Sequence, residues 1–423
     1  MSAINELFDF IKSAPSAYHT VAKVKAELIL SGHTELFEGE KWELLDGGKY
    51  FVTRNGSSII AFKVKKSANG FMIAASHSDS PAFRLKITPE LSGVYNRLEV
   101  EKYGGMIYYT WLDRPLSLAG RAVVHTKDGI ETRLVNVDRD IAVIPSVAIH
   151  MNRGVNEGYK FNPAKDLLPL VSSSNSEITV MSEIAKEAGV SESEILSHDI
   201  FLYNRDEGKC IGLNNEYILS PRLDDLECVF ASLKAYINSK DTESIPVLAV
   251  FDNEEVGSET KQGAASTFLC DVLSRIAGER YTAMLSNSFM VSADNAHAKH
   301  PNHPELSDKD NAPVMNGGIV VKWNANQKYT TDGVSDAIFR TICERCGVKT
   351  QSYYNRADMP GGSTLGSISN TKVSVPTVDI GLAQLAMHSA NETAGREDLS
   401  SMISALTAFF ETSIKQEGEK IIF

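Results

Sequence analysis

Cysteine is scarce in this chain, and an excess of basic charge and long apolar runs are both missing. Five cysteines in 423 residues form no disulfide framework and suit a reducing compartment. Cys343 and Cys346 make a CxxC pair, but it falls late in the helix-like segment 334–346 and has no second pair. It reads as structural rather than as a zinc site. Acidic residues outnumber basic ones by 54 to 42, a net charge of −12, which argues against a general nucleic-acid or anionic-membrane surface. An acidic substrate would therefore need a dedicated cation. No run approaches the roughly 20 apolar residues of a membrane span. The opening Met1-Ser2-Ala3-Ile4-Asn5-Glu6 lacks the basic-then-apolar pattern of a secretory signal. These absences predict a cytoplasmic protein that engages neither nucleic acid nor membrane. Internal repeats and low-complexity tracts are also missing, and a composition of 43% hydrophobic and 23% charged is that of a globular chain.

What is present is a set of apolar runs that end in acid or histidine. Residues 71–75 lead to His77-Ser78-Asp79, and 247–251 to Asp252-Asn253-Glu254-Glu255. Residues 289–293 lead to Asp294, and 375–380 run towards Met387-His388-Ser389. Polar groups at the exits of buried strands share one crevice in an open α/β sheet. Helical signals alternate with these runs, over 16–30, 264–277 and 399–414, the last covering one face of the sheet. After Pro221, Leu226, Val229, Phe230, Leu233, Tyr236 and Ile237 fall on one helical face, so Asp224 and Asp225 sit at that helix's N-terminal end. Asn55-Gly56 supplies the turn of a hairpin over 50–66. The β-then-α order predicts an α/β fold, a sheet covered by helices. From about Arg84 the texture changes to short β-like runs at 107–111, 121–125 and 140–145. A Ser- and Glu-rich excursion over 172–198 follows, with a short helix at 181–188. This reads as a β-rich insertion.

Two divalent ions held close together need histidine nitrogen, carboxylate oxygen, at least one carboxylate between them, and open positions. Five residues suit that role, with His77 and Asp294 for one ion, Glu255 and His388 for the other, and Asp224 bridging both. Asp79 lies two residues after His77, on the same side of a strand, where its carboxylate can accept the other ring N–H. Read alone, Asp224 and Asp225 are equally the first-turn acids of a helix. Glu254 and Glu255 alone are a solvated pair. Adjacent carboxylates nevertheless permit a division of labour, with Glu255 binding metal and Glu254, turned the other way, taking a proton from water as general base. His297, His300 and His303 recur every third residue. The apolar strand before Asp294 makes that carboxylate the better ligand, and His297 or His300 orienting or substrate-facing groups.

The ordered set His77-x-Asp79-Ser80-Pro81, Arg222-Leu223-Asp224-Asp225-Leu226, Asp252-Asn253-Glu254-Glu255-Val256-Gly257-Ser258, Ser292-Ala293-Asp294-x-Ala296-His297-Ala298 and Met387-His388-Ser389 resembles the aspartyl aminopeptidase family of dinuclear zinc exopeptidases. Tyr103-Gly104-Gly105, Thr110-Trp111-Leu112-Asp113-Arg114, Ala119-Gly120-Arg121, Ala148-Ile149-His150 and Asp358-Met359-Pro360-Gly361-Gly362-Ser363-Thr364 are similar to that family as well, so the match spans nearly the whole chain. The resemblance implies a zinc-exopeptidase-like three-layer catalytic domain, 1–83 and 219–423, interrupted by a β-rich dimerisation domain, 84–218. Such dimers would build a tetrahedral homododecamer. It implies the five ligands named above, with Glu254 as base and Asp79 as orienter. His150 would reach a neighbouring subunit's active site, and Lys322 would lie at a pocket for acidic side chains.

The reaction so implied removes N-terminal residues, acidic ones (Asp or Glu), from peptides by a water activated by two metals and Glu254. Zinc is the implied metal, although His and carboxylate ligands also accept cobalt or manganese. Alternatives are an aminopeptidase of the same family preferring apolar N-terminal residues, a dinuclear deacylase, and a non-catalytic assembly scaffold. The presence of every ligand together with Glu254 speaks against the scaffold.

Overall fold

Residues 2–240 and 242–423 are described by a computed structural model centred on a nine-stranded mixed sheet. In spatial order its strands are Thr34–Leu36, Lys49–Arg54, Ser58–Lys63, Ile245–Phe251, Phe71–His77, Phe289–Ala293, Thr377–Gly381, Ile319–Trp323 and Thr350–Tyr354. The four strands from Ile245–Phe251 to Thr377–Gly381 run parallel, and their register sets Phe251 beside His77, Ser292 beside Ala75 and Ala293 beside Ile380. They therefore end along one edge, and whatever follows each strand meets in one crevice.

The sequence builds this layer because its strands are apolar on both faces. Every residue of Phe71–His77, Ile245–Phe251 and Phe289–Ala293 is buried. Met72, Ala74, Leu248 and Val250 join one core together with Phe10, Val24, Phe230 and Phe409 from the helices Ala3–Ser13, Ala17–Leu30, Leu223–Asn238 and Asp398–Phe410. Phe71, Ile73, Val247 and Ala249 join the opposite core with Phe268, Leu269 and Val272 of the helix Phe268–Ala277. Parallel strands covered on both sides demand such continuous apolar runs.

A second, antiparallel sheet of six strands is drawn wholly from residues 82–204, in the order Gly129–Asn136, Leu116–Thr126, Ile195–Asn204, Ala82–Leu91, Tyr95–Tyr103 and Leu170–Ser173. It has its own core, with Phe83, Leu98, Leu118, Ile200 and Leu202, capped by Ile184 of the helix Val180–Ala188. A third sheet of five short strands, among them Ala296–His297, Ala383–Leu385 and Glu392–Gly395, carries the chain past the crevice. The α/β class with a β-rich insertion is as expected. No helix among the described residues is long and apolar enough to cross a membrane.

Three local expectations fail. Residues 107–111 do not form a strand: Tyr108–Trp111 is a 3-10 turn in which Thr110 Oγ1 donates to the Ile107 carbonyl, and Trp111 packs edge-on to Phe83 at 5.2 Å. A short aromatic run carries no decisive period. Residues 140–145 contribute only isolated bridges. The helix expected from residue 264 starts at Phe268, after Ser266 Oγ has accepted the Phe268 N–H.

One buried histidine makes stability depend on pH. His33 packs between Leu28, whose carbonyl lies 3.1 Å from its Nδ1, and Tyr236, whose hydroxyl lies 3.0 Å from its Nε2. Burial pulls its pKa from the ordinary 6.5 down to about 4, so between those values the unfolded chain binds the proton and the folded one does not. Stability is then complete above pH 6.5 and falls as pH drops towards 4. Denaturant unfolding at pH 7 and pH 5 should differ by on the order of 1–2 kcal/mol on this account, and His33→Gln should remove that share of the difference. An unchanged pH slope in the variant would refute it.

Candidate metal centre

Each strand exit delivers its side chain as the sequence suggests, and the fold then adds partners of its own. His77 ends its strand fully buried, with Nδ1 3.0 Å from the Asp79 carbonyl. His388, on a loop residue with φ +67, has its Nδ1 2.7 Å from the Gly105 carbonyl. A carbonyl can only accept, so each Nδ1 carries a proton, and in the neutral ring each Nε2 then turns a lone pair inward. What those lone pairs face is carboxylate. His77 Nε2 lies 3.4 Å from Asp224 Oδ1 and 3.9 Å from Asp294 Oδ1, and His388 Nε2 lies 3.4 Å from Asp224 Oδ2 and 3.3 Å from Glu255 Oε2.

Lone pairs facing lone pairs need a positive charge between them. Zinc–ligand bonds of about 2.0–2.2 Å at tetrahedral angles set neighbouring ligand atoms about 3.3–3.5 Å apart, which matches three of these four distances. Asp224 Oδ1 and Glu255 Oε1 are buried with no hydrogen-bond partner. Candidate donor atoms of His77, Asp224, Asp225 and Asp294 all lie within 4.8 Å of one another, as do those of Asp224, Glu255 and His388. The residues present therefore fit two adjacent cation sites sharing Asp224.

Electrostatics point the same way. Burial opposes the charged form of His388, yet Asp224 and Glu255 raise its pKa to about 10. His77 is likewise raised against its burial, by Asp225, Asp224 and Asp79. Asp224 stays well below the usual carboxylate range because the two histidines outweigh its burial. Glu255 is pushed well up and Glu254 to about 8, in both cases first by burial and then by neighbouring carboxylates. Without cations, this cluster must take up protons to limit its own repulsion.

Asp79 acts somewhat differently from the expectation. Its carbonyl, not its carboxylate, is the close partner of His77, because the strand ends at His77 and the alternation of side chains ends with it. The carboxylate, 3.4 Å from the ring, instead accepts the Glu254 and Glu255 backbone N–H groups at 3.2 Å each and the Tyr103 hydroxyl at 2.7 Å. It thereby holds the 3-10 turn Glu254–Val256 against the His77 strand.

Two contributors have no role in the sequence reading. Asp225 Oδ2 accepts the His77 N–H at 3.0 Å. In a regular helix successive residues point about 100° apart and only one of the two carboxylates would turn inward; non-helical dihedrals at Asp224 (φ −78°, ψ 110°) and Asp225 (φ −116°, ψ 20°) turn both inward. Buried Glu392 accepts the Asp224 N–H at 2.9 Å and the His388 N–H at 2.7 Å, clamping a shared acid to a histidine far along the chain. Its place near His388 in sequence was the only signal.

The remaining candidates are placed as follows. A cavity of about 180 Å³ is lined by His77, Asp224, Glu254, Asp294, Lys322 and His388, and its wall also includes His297, Tyr329, Tyr353, Met387, Ser363 and Thr364. A larger one, about 450 Å³, opens behind Asp79 and Asp224 between the two main sheets, but it lacks Glu254 and both histidines. The smaller cavity is therefore the chemical one. His297 faces it and His300 does not: the strand Ala296–His297 is only two residues long, and His300 lies beyond it with its ring 5.2 Å from His303. His150 is exposed and lies outside this cavity. Lys322 is buried and already engaged, its Nζ 2.7 Å from the Asp294 carbonyl, 3.3 Å from that of Asn295 and 3.4 Å from Asp294 Oδ2.

Comparison with known proteins agrees with this geometry. Residues 10–410 match the model of the family described as aminopeptidase I zinc metalloprotease (M18). A probable M18 family aminopeptidase 2 of Clostridium acetobutylicum is 48% identical over 410 residues, 93% of this chain and 95% of its own; a protein of the same name from Pseudomonas aeruginosa is 38% identical over 419 residues, 96% and 97%. Among solved structures, one of an Ape4 and Nbr1 complex superposes with a TM-score of 0.93 at 35% identity, covering 97% of this chain and 85% of that one. The S. cerevisiae mApe1 dodecamer gives 0.85 at 28%, covering 96% of each. With its strand exits, buried His and carboxylate cluster and family match along almost its full length, the chain belongs to the M18 family of zinc metalloprotease aminopeptidases.

Proposed function

We propose that this aminopeptidase works with two divalent ions, zinc in the first instance and cobalt or manganese as alternatives. His77 and Asp294 would hold one, Glu255 and His388 the other, and Asp224 both. The observation that carries this reading is the division of one buried carboxylate, with Asp224 Oδ1 and Oδ2 each 3.4 Å from a different histidine. Bound there, the ions would supply a polarised scissile carbonyl and a more acidic water. The protein's part is proton movement and orientation. Glu254 takes the proton of the attacking water as its oxygen bonds to the carbonyl carbon, and returns it to the amine as the C–N bond breaks. Asp79 keeps Glu254 and Glu255 in register. Metal analysis of the purified protein tests the reading, with two ions per chain expected and none refuting it.

The preferred substrates are peptides with acidic N-terminal residues, selected by the buried cation Lys322 at the cavity wall. An apolar preference is the second reading. It is favoured by the three oxygens already around the Lys322 ammonium and by Tyr329, Tyr353 and Met387 in the wall. A cleavage profile of aspartyl, glutamyl and leucyl peptides, free and N-acetylated, separates these readings from each other and from a deacylase. Lys322→Ala should lower the Asp-over-Leu ratio at least about tenfold; an unchanged ratio would remove Lys322 from selection. We further propose that residues 84–218 form a dimerisation domain inserted between 1–83 and 219–423, and that the protein is a homododecamer in which His150 reaches a neighbouring copy's site. The likeness to the yeast dodecamer supports this.

A further inference from the structure

One segment of the antiparallel sheet touches both halves of the metal centre. Tyr103 is the last residue of the strand Tyr95–Tyr103. Its hydroxyl donates to Asp79 Oδ2 at 2.7 Å and accepts from Asn253 Nδ2 at 2.8 Å. Asn253 is itself fixed, its Oδ1 accepting from Thr260 Oγ1 at 2.9 Å and Gln262 Nε2 at 2.7 Å. Two residues on, the Gly105 carbonyl accepts a hydrogen bond from His388 Nδ1, and the Ile107 N–H donates to the His388 carbonyl at 3.0 Å. Between them Gly104 has φ +75°, and a Cβ there would come within 3.2 Å of Glu255 Cβ. Glycine adopts that dihedral without strain, and any side chain there would have to displace Glu255 by a few tenths of an ångström.

We infer that residues 103–107 form a positioning strap, through which the six-stranded sheet orients the His77 and Asp79 half and the Glu255 and His388 half of the metal centre together. The inference rests on the two-metal reading proposed above. Its physical basis is the hydrogen bonding that surrounds ligand groups. Asp79 holds the turn carrying Glu254 and Glu255, and the Tyr103 hydroxyl in turn donates to that carboxylate at 2.7 Å. Gly105 supplies the acceptor that fixes the His388 tautomer. Such outer partners set ring orientation and ligand basicity. The antiparallel sheet is thereby coupled to catalysis without contributing a catalytic residue.

The test is Tyr103→Phe, which keeps the ring and its edge-on contact with Phe201 at 5.4 Å. Tyr95→Phe, at the exposed start of the same strand, is the control. Co²⁺ titrated into metal-free protein against a competing chelator gives affinity and an absorption spectrum for each site. For Tyr103→Phe, affinity at one site should weaken about 10–100-fold with an altered spectrum. kcat should fall over a similar range with KM within about twofold, and metal-free unfolding should stay as in wild type. Tyr95→Phe should match wild type throughout. Gly104→Ala should likewise perturb the site of Glu255, against whose Cβ the added methyl would press. Wild-type metal affinity and kcat in Tyr103→Phe would overturn the strap, as would a loss of thermal stability alone. Wild-type protein taking up no Co²⁺ would overturn the two-metal reading and the strap with it.

Discussion

Glu254→Gln is expected to keep both metal ions and lose between about 10² and 10⁴ of turnover, the usual range for removing a general base. The substitution is nearly isosteric. It leaves intact the backbone N–H that anchors residue 254 to Asp79 Oδ1 at 3.2 Å, so the turn and the neighbouring Glu255 should stay in place. What changes is the ability to take a proton. Burial and nearby carboxylates raise the Glu254 pKa to about 8 before any cation is bound; two bound cations would lower it and leave the carboxylate free to take that proton. Steady-state kinetics with metal analysis on the same preparation decides the matter. Wild-type turnover in a metal-replete Glu254→Gln protein would remove Glu254 from the reaction.

Asp224→Ala should do more harm, because one side chain serves both halves. Each carboxylate oxygen faces a different histidine, so its loss should weaken both ions together, each by more than about 100-fold, and bring turnover below roughly 10⁻⁴ of wild type. His388→Ala would strip only one half and provides the contrast. Folding should survive in Asp224→Ala, since the main-chain bonds at this residue, from its N–H to Glu392 Oε2 at 2.9 Å and from Ser80 Oγ to its carbonyl at 2.8 Å, do not involve its side chain. Metal content falling from two ions to one would show that Asp224 is not shared.

Much of this site was legible because local rules produce it. Strands buried on both faces must be apolar throughout, so a histidine or acid directly after such a run marks the edge of the sheet that opens on the crevice. His77, Glu254, Glu255 and Asp294 were found that way, and Asp224 followed from the apolar face of the helix behind it. His388 lies several residues beyond the run 375–380, so its local signal was the weakest of the five, and it gained weight from the other motifs and the family resemblance.

The sequence by itself determined which residue types reach the crevice, since period and polarity act over a few residues and need no partner. Tertiary structure alone decided how those side chains meet. It turned Asp225 inward, brought Glu392 against Asp224 and His388, carried His300 away while keeping His297, and enclosed Lys322 among three oxygens. It also laid Tyr103 and Gly105 across from the other sheet. Those pairings join residues as much as 283 positions apart, and contacts at such range arise from register and packing between elements, which no local pattern encodes.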